Sequence, residues 1–332
     1  MFLLWMRFII SATVIIIAAI NLSRNADIIA EKTGMGRMWV GAMLLPLATS
    51  LPEIVTSIQA AVIGNPDIAL GNVFGSNMFN IVIIAVVDVV QGRGPVLYYV
   101  SKGHILTASI GMLLLGLSCI AILGGTGVTI PGVKISLDSL LILLIFIGGL
   151  RLITRYERKN GETGPDAPQY RDKSLARALT VFIFAGALIF LSGRQLAVTA
   201  DELSVVTGLG GTFVGSFFVA VITSLPELVS TMTAARMGAL DLAIGNIFGA
   251  NVMNIFILFV ADLFYRSGPF LSAVSPAHLV TGLLAMALMA IAVIGLIYRS
   301  EKSVFNLGFD SIGIVILYLL GATLVYKAGV LV

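Results

Sequence analysis

The chain has 332 residues, of which 58% are hydrophobic and only 11% charged, with a formal net charge of +3. Soluble globular domains carry about 25% charged residues, so this composition and a mean hydropathy of +1.04 exclude a water-soluble globule. The lone cysteine, Cys119, excludes an internal disulfide and sits in an apolar run as a packing residue.

A membrane-spanning helix needs about 20 mostly apolar residues. In chain order such runs cover about 3–23, 37–62, 67–90, 103–123, 133–153, 176–199, 210–235, 241–264, 277–298 and 308–327. Backbone polar groups in lipid must be satisfied within the segment, and runs of this length do not fit the short alternating strands of a barrel, so the spans are expected to be helices. No length is left for a soluble domain. The one long polar connection, about 154–175, is rich in Gly and Pro and reads as a flexible linker between two halves. The first apolar run is expected to remain as a span rather than be cleaved as a signal peptide, because no clean small-residue cleavage site follows it. It also has a partner at 176–199.

With the linker taken as cytoplasmic, fifteen of the 20 Lys and Arg residues fall on its side, including Arg24, Lys32, Arg37, Arg93, Arg151, Arg155, Arg158 and Arg171. Five fall on the other: Arg7, Lys134, Arg194, Arg266 and Lys327. The positive-inside rule therefore puts both termini outside and the linker inside. The basic loops serve topology, and no nucleic-acid partner is expected. Short loops and the lack of a regulatory domain point to a prokaryotic inner membrane.

One stretch of the sequence is written twice. Residues 46–88 and 220–262 align without a gap at a shift of 174 and share 21 identities over 43 positions. Many of the identities are Thr, Ser, Pro, Glu, Gly and Asn rather than the apolar residues around them. The shift extends outward: Ala26-Asp27 matches Ala200-Asp201, Thr33-Gly34 matches Thr207-Gly208, Val40-Gly41 matches Val214-Gly215, and His104 matches His278. The repeat unit is thus a five-span half. Five is odd, so the second half enters the membrane from the opposite side. The predicted fold class is an all-α membrane protein with ten transmembrane helices as two inverted five-helix repeats. The first repeat is 1–153, the cytoplasmic linker 154–175, and the second, inverted repeat 176–332.

Glu53 and Glu227 lie midway along the second and seventh spans, where a charged carboxylate costs about 2.5–3.5 kcal/mol on insertion scales. Two at matching positions point to a cation site to which each half gives one carboxylate. Pro52 and Pro226 precede them and have no N–H for the carbonyls of Ala48 and Ile222. The broken turns at Thr49-Ser50 and Thr223-Ser224 therefore offer carbonyl and hydroxyl oxygens. The third and eighth spans carry Gly71-Asn72-Val73-Phe74-Gly75-Ser76-Asn77 and Gly245-Asn246-Ile247-Phe248-Gly249-Ala250-Asn251. Glycines at i and i+4 let helices approach closely, and Asn80 and Asn254 share a face with Ser76 and Ala250, one turn on. All of these donors are hard oxygens. Calcium takes six to eight of them, and two carboxylates match its charge; sodium fits the same donors. Soft metals would want Cys, His or Met.

The pair TSLPE…GNVFGSNMFN and TSLPE…GNIFGANVMN resembles the two alpha-repeats of the cation/calcium antiporter superfamily, in its sodium/calcium exchanger branch. The resemblance implies exchange of calcium against sodium, or against protons in some relatives, by alternating access. It implies Glu53 and Glu227 as main calcium ligands and Thr49, Ser50, Thr223 and Ser224 as carbonyl and hydroxyl ligands for calcium and sodium. Asn80, Ser76 and Asn254 fall on its remaining ligand positions, and spans 1 and 6 on its sliding gates. The sequence departs from the family pattern at three places. Ala250 stands where the motif has Ser, Asn254 where some microbial members have Asp, and Pro46 is matched by Ala220.

Lesser features complete the reading. Asp67 and Asp241 open the third and eighth spans as acids at helix N-termini, and Asp88 and Asp262 close those spans as interfacial residues. His104 and His278 are expected to anchor spans 4 and 9 at the interfaces. No phosphate-binding Gly-rich loop and no His-Glu-x-x-His motif is present, so neither an ATP-driven pump nor an intramembrane hydrolase is indicated. No cofactor is expected beyond the transported ions. The remaining rivals are a proton-coupled antiporter, a passive cation channel using the same oxygens, and a membrane enzyme with Glu53 and Glu227 as an acid/base pair.

Overall fold

The computed structural model describes residues 1–33, 45–92, 94–130, 135–160, 172–304 and 306–331, without the side chains of Asp27, Ala30, Leu45, Pro46, Glu157, Asn160 and 329–331. The start of the second expected span, half of the linker (161–171), the repeat partners Gly34 and Val40-Gly41, the charges Arg37, Arg93, Lys134 and Arg171, and the Pro46 side chain lie outside the described residues.

Among the described residues the regular structure is helical, apart from one two-stranded ribbon, β1 (Ser303–Val304) and β2 (Leu307–Gly308), and an isolated bridge between Thr129 and Ser136. The helices are α1 (Phe2–Thr33), α2 (Leu45–Thr49), α3 (Leu51–Val62), α4 (Pro66–Gln91), α5 (Val96–Tyr99), α6 (His104–Gly124) and α7 (Leu137–Asn160). They continue with α8 (Leu175–Thr207), α9 (Gly210–Phe213), a π-helical turn at Val214–Val219, α10 (Ala220–Thr223), α11 (Leu225–Arg236), α12 (Leu240–Phe264), α13 (His278–Tyr298) and α14 (Phe309–Leu331). Eight helices are long and apolar enough to cross a membrane, and Gly210–Thr223 with Leu225–Arg236 makes a ninth, bent span. The protein is an all-α membrane protein. Ten expected spans become nine among the described residues, because the second is described only from Leu45 onward.

Local sequence sets the helix ends. Asn65 caps α4 by accepting from the Ile68 N–H at 3.0 Å, with Pro66 at the first helical position. Gly92 closes the helix in the left-handed region, φ 66°. Ser174 and Gly208 begin and end α8 in the same way. Helices α1 and α8 run well past the apolar stretches 3–23 and 176–199. At 32 and 33 residues they reach about 50 Å, against about 30 Å of hydrocarbon. The extra turns persist because they stay apolar on one face. Ile28 and Ile29 near the end of α1 pack on Ala178 near the start of α8, while Arg7 meets Glu202 at the opposite ends. The two helices are therefore an antiparallel pair.

Helices α4 and α12 occupy the centre. Both are buried on every side, as helices enclosed by others are, and Ile68, Phe74, Ile81, Ile244, Phe248 and Ile255 are fully buried. Their terminal acids are structural. Asp88 and Asp262, expected at the interface, are buried because each satisfies loop amides that would otherwise be unpaired. Asp88 accepts from Val96 N–H at 2.7 Å and Gly308 N–H at 2.9 Å. Asp262 accepts from Ser136 N–H at 2.8 Å and Phe270 N–H at 3.0 Å. At the other ends the halves exchange partners. Asp67 of α4 takes the Ser275 N–H and faces His278 Nε2 at 3.3 Å, and Asp241 of α12 takes the Ser101 N–H and faces His104 Nε2 at 3.0 Å.

Helix α4 crosses the π-helical turn at backbone contact. A Cβ on Gly71 would lie 3.0 Å from Gly215 Cα, and one on Gly75 only 2.1 Å from the Ser216 carbonyl oxygen. The repeated glycines are thus a steric requirement in this half. Gly75→Ala is expected to cost about 1–3 kcal/mol by overpacking and to lower the melting temperature in detergent by several degrees. Gly148→Ala, where nothing lies within 4 Å, should leave melting unchanged or raise it slightly. Equal melting of the two variants would refute the contact.

Candidate functional site

The site lies where two helix breaks meet. Between α2 and α3 the chain turns at Ser50, φ −86° and ψ 9°, and between α10 and α11 at Ser224, φ −88° and ψ 3°. Both values depart from helix geometry, since Pro52 and Pro226 can neither donate to nor fit beneath the preceding turn. Helical bonding resumes at once, with Ile54 N–H to the Ser50 carbonyl at 3.0 Å and Leu228 N–H to the Ser224 carbonyl at 3.1 Å. The second break bends its span by 42°. Each Glu thus stands in the first turn of a half-helix, next to partial positive charge from unpaired N–H groups.

The two carboxyl groups are bound crosswise. Ser224 Oγ donates to Glu53 Oε1 at 2.9 Å, and Ser50 Oγ donates to Glu227 Oε1 at 3.1 Å. Thr223 lies against the Glu53 carboxyl and Thr49 against that of Glu227. Glu53, Thr49, Ser50, Thr223 and Ser224 are wholly buried, and Glu227 is 1% exposed. Glu53 Oε2 and Glu227 Oε2 are buried without a hydrogen-bond partner. An unsatisfied buried carboxylate oxygen is costly, so this geometry fits a cation as the missing partner.

A ladder of four amides joins α4 to α12. Asn80 Nδ2 donates to Asn251 Oδ1 and Asn254 Nδ2 to Asn77 Oδ1, each at 3.0 Å, and Asn251 Nδ2 donates to the Asn77 carbonyl at 3.2 Å. The N–H sides of Asn80 and Asn254 are thereby used, and their Oδ1 atoms are left buried and open. Both are expected ligands, and the arrangement leaves them as acceptors only. Ser76 is buried and makes a long bond, 3.4 Å, to the Ala220 carbonyl. Its counterpart Ala250 is also fully buried and brings no hydroxyl. Among the described residues no cluster of three or more His, Cys, Asp or Glu forms, so the two carboxyls supply the acidic charge.

Sequence reasoning missed Asn72. Its amide donates to Ser57 Oγ at 2.9 Å and to the Glu53 carbonyl at 3.3 Å, and its oxygen accepts from Thr223 Oγ1 at 2.8 Å. One side chain therefore fixes the Glu53 turn and the opposite broken turn together. The signal was available, since Asn72 and Asn246 are identities within the repeat, but the adjacent glycines accounted for the motif. Asn246 donates to Ser230 and Thr231 instead and keeps an open Oδ1. Asn77 and Asn251, the ladder's inner members, were missed for the same reason.

A model of the family described as "Sodium/calcium exchanger protein" matches residues 3–155 and again 177–327. This chain belongs to that family. The family is one of transporters rather than enzymes. Two relatives are the inner membrane protein YrbG of Escherichia coli (strain K12), 26% identical over 257 residues, and the sodium/calcium exchanger MaX1 of Methanosarcina acetivorans, 26% identical over 271 residues. The first alignment covers 75% of this chain and 76% of YrbG; the second covers 73% and 77%. Among solved structures, the H+/Ca2+ exchanger CAX superposes with a TM-score of 0.73 at 15% identity, over 99% of this chain and 86% of that one. The sodium-calcium exchanger NCX_Mj superposes with a TM-score of 0.60 at 22% identity, over 96% and 97%. These superpositions establish the exchanger fold.

Replacing Asn72 by Ala removes three buried hydrogen bonds, worth about 0.5–1.5 kcal/mol each, although Ser57 and Thr223 keep their bonds to the carbonyls of Ala69, Val219 and Ala220. Melting of the purified protein should fall by several degrees. Unchanged melting would show that Asn72 does not organise the site.

Proposed function

We propose that the protein is a secondary antiporter that exchanges calcium for sodium by alternating access, with Glu53 and Glu227 as the principal calcium ligands. The observation that carries this reading is the crossed Ser–Glu pair, which brings one carboxylate from each half to a single buried point and leaves one oxygen of each open. Glu53 Oε2, Glu227 Oε2, Asn80 Oδ1 and Asn254 Oδ1 give four oxygens. The broken turns at Thr49-Ser50 and Thr223-Ser224 add carbonyls and hydroxyls toward the six to eight that calcium takes. Two carboxylates neutralise one divalent ion or two monovalent ones, so calcium and two sodium ions can alternate at one place without a change in site charge. Ser76 extends the shell on one side only, because Ala250 has no oxygen to offer.

Exchange against protons is the second reading. Two protons would also neutralise the two carboxyls, and the described residues hold no third acid at the site. Tight enclosure of both acids between broken helices argues for binding followed by a conformational step, against a passive channel. The halves, 1–153 and 176–332, are read as inverted repeats, so that exchange of their conformations turns an inward-facing site outward.

The test is calcium uptake into proteoliposomes with sodium and proton gradients imposed separately. Uptake should follow an outward sodium gradient, persist when the pH difference is collapsed, and fall to background in Glu53→Gln and Glu227→Gln. Uptake driven by the pH gradient alone would replace sodium by protons as the counter-ion. Full uptake in Glu53→Gln would overturn the site.

The orientation has its own check. With the linker inside, a cysteine at position 172 in a Cys119→Ala background (D172C/C119A) should react with a membrane-impermeant maleimide only in inside-out vesicles. Labelling in right-side-out cells would invert the topology.

A further inference from the structure

Helix α7 carries a stripe that changes chemistry along its length. Leu143, Phe146, Ile147 and Leu150 are followed, on the same face, by Arg151, Thr154, Arg155 and Arg158. The spacing of three and four keeps these residues in register on one side of a helix. That side borders a cleft of about 820 Å³ whose far wall is Leu47 of α2 with Met253 and Phe256 of α12. The stack of Phe146 on Phe256, with centroids 4.7 Å apart, joins the two walls. The volume lies within the range of pockets that hold organic ligands, about 300–1,000 Å³. The membrane-spanning part of α7 ends at Tyr156, so the cleft runs from the hydrocarbon region to the interface, apolar first and cationic last.

The three arginines are exposed at this rim, and among the described residues none of them makes an ion pair. Guanidinium forks match phosphate oxygens in pairs, and basic pockets between membrane helices attract acidic headgroups. A soluble anion would satisfy the arginines and leave the apolar cleft below unfilled, while a neutral lipid would do the opposite. An acidic lipid satisfies both, with its acyl chain against Leu143, Ile147 and Phe256 and its phosphate between Arg151, Arg155 and Arg158.

We propose that this cleft is a seat for one anionic glycerophospholipid, in the leaflet on the side of the linker. Two of its walls belong to the helices that carry site residues. Leu47 lies two residues before Thr49, and Met253 is adjacent to Asn254. A bound acyl chain therefore fills the space between the half-helix α2 and the ladder helix α12. The proposal stands apart from the choice of transported ions, since it uses none of the residues assigned to them.

The experiment is native mass spectrometry of the detergent-purified full chain titrated with phosphatidylglycerol or phosphatidylcholine. The expected result is one tightly held phosphatidylglycerol, preferred over phosphatidylcholine by about tenfold or more. In R151Q/R155Q/R158Q the preference should fall below about twofold. Arg155→Gln alone, a single exposed change that leaves the fold in place, should fall in between. Lys159→Gln, one residue beyond the stripe, should behave as wild type. Leu150→Trp, which narrows the cleft, should weaken retention of both lipids. Retention of the preference in the triple variant would overturn the seat, as would an equal loss in Lys159→Gln. So would displacement of the lipid by inorganic phosphate at equal concentration, which would leave the apolar walls without a part.

Discussion

Two carboxyl groups buried at one point dominate the design of this molecule. Each is an expensive group at membrane depth, and neither is satisfied by its own half. Glu53 is held by Ser224 and Glu227 by Ser50, so either half alone would carry an acid without its hydroxyl. Several costly local features follow from bringing the acids together. Proline interrupts two spans so that the acids start new half-helices. Glycines at 71 and 75 let α4 touch the backbone of the π-helical turn. Four asparagines fasten α4 to α12 and leave the amide oxygens of Asn80 and Asn254 buried and unpartnered.

The same crosswise logic recurs at both faces. Asp67 at the start of α4 binds the loop ahead of α13, and Asp241 at the start of α12 binds the loop ahead of α6. Asp88 and Asp262 at the far ends gather loop amides. The central helices are therefore tied to loops at both ends and to each other in the middle, where parting α4 from α12 would break the asparagine ladder. The pair α1 and α8 is fastened differently. Ala18, Ala19, Leu22, Ala26, Ala185 and Ile189 pack with Ala48 and Val55 in a cluster of their own. That cluster is mostly small apolar side chains, with the directional bonds of the pair lying nearer the helix ends, at Arg7–Glu202 and Asn65–Asp201.

What could be read from the sequence was what the repeat forced. Polar identities inside apolar runs identified Glu53 and Glu227, and the proline before each acid marked the helix breaks at the residues where they occur. Helical spacing singled out Asn80 and Asn254, whose amide oxygens the structure leaves buried and open. Asn72 was not legible, because its role depends on Thr223, a residue 151 positions away that no spacing rule brings near. The burial of Asp88 was hidden for a related reason. A carboxylate at the end of a span looks interfacial until its loop folds back over it. Helices α1 and α8 were read short because hydropathy marks the part of a helix in lipid and not where the helix stops.

The two halves are close copies but not equal ones, and the differences fall in places where they have physical consequences. Ser76 bonds toward the Ala220 carbonyl, while Ala250 has nothing to bond with. Asn65 both caps α4 and donates to Asp201 of α8 at 2.6 Å; Ala239 in its place leaves α12 without a side-chain cap. The second half thus has its long helix pinned to the central helix of the first, and Ala239 cannot return the bond. In a perfectly symmetric molecule, two conformations related by exchange of the halves would have equal energy. Here one of them contains the Asn65–Asp201 bond, and the exchanged one cannot form its mirror image. Under the proposed alternating-access mechanism, the sequence differences between the copies would bias which side the site faces at rest, and an ion bound equally well in both orientations would leave that bias unchanged.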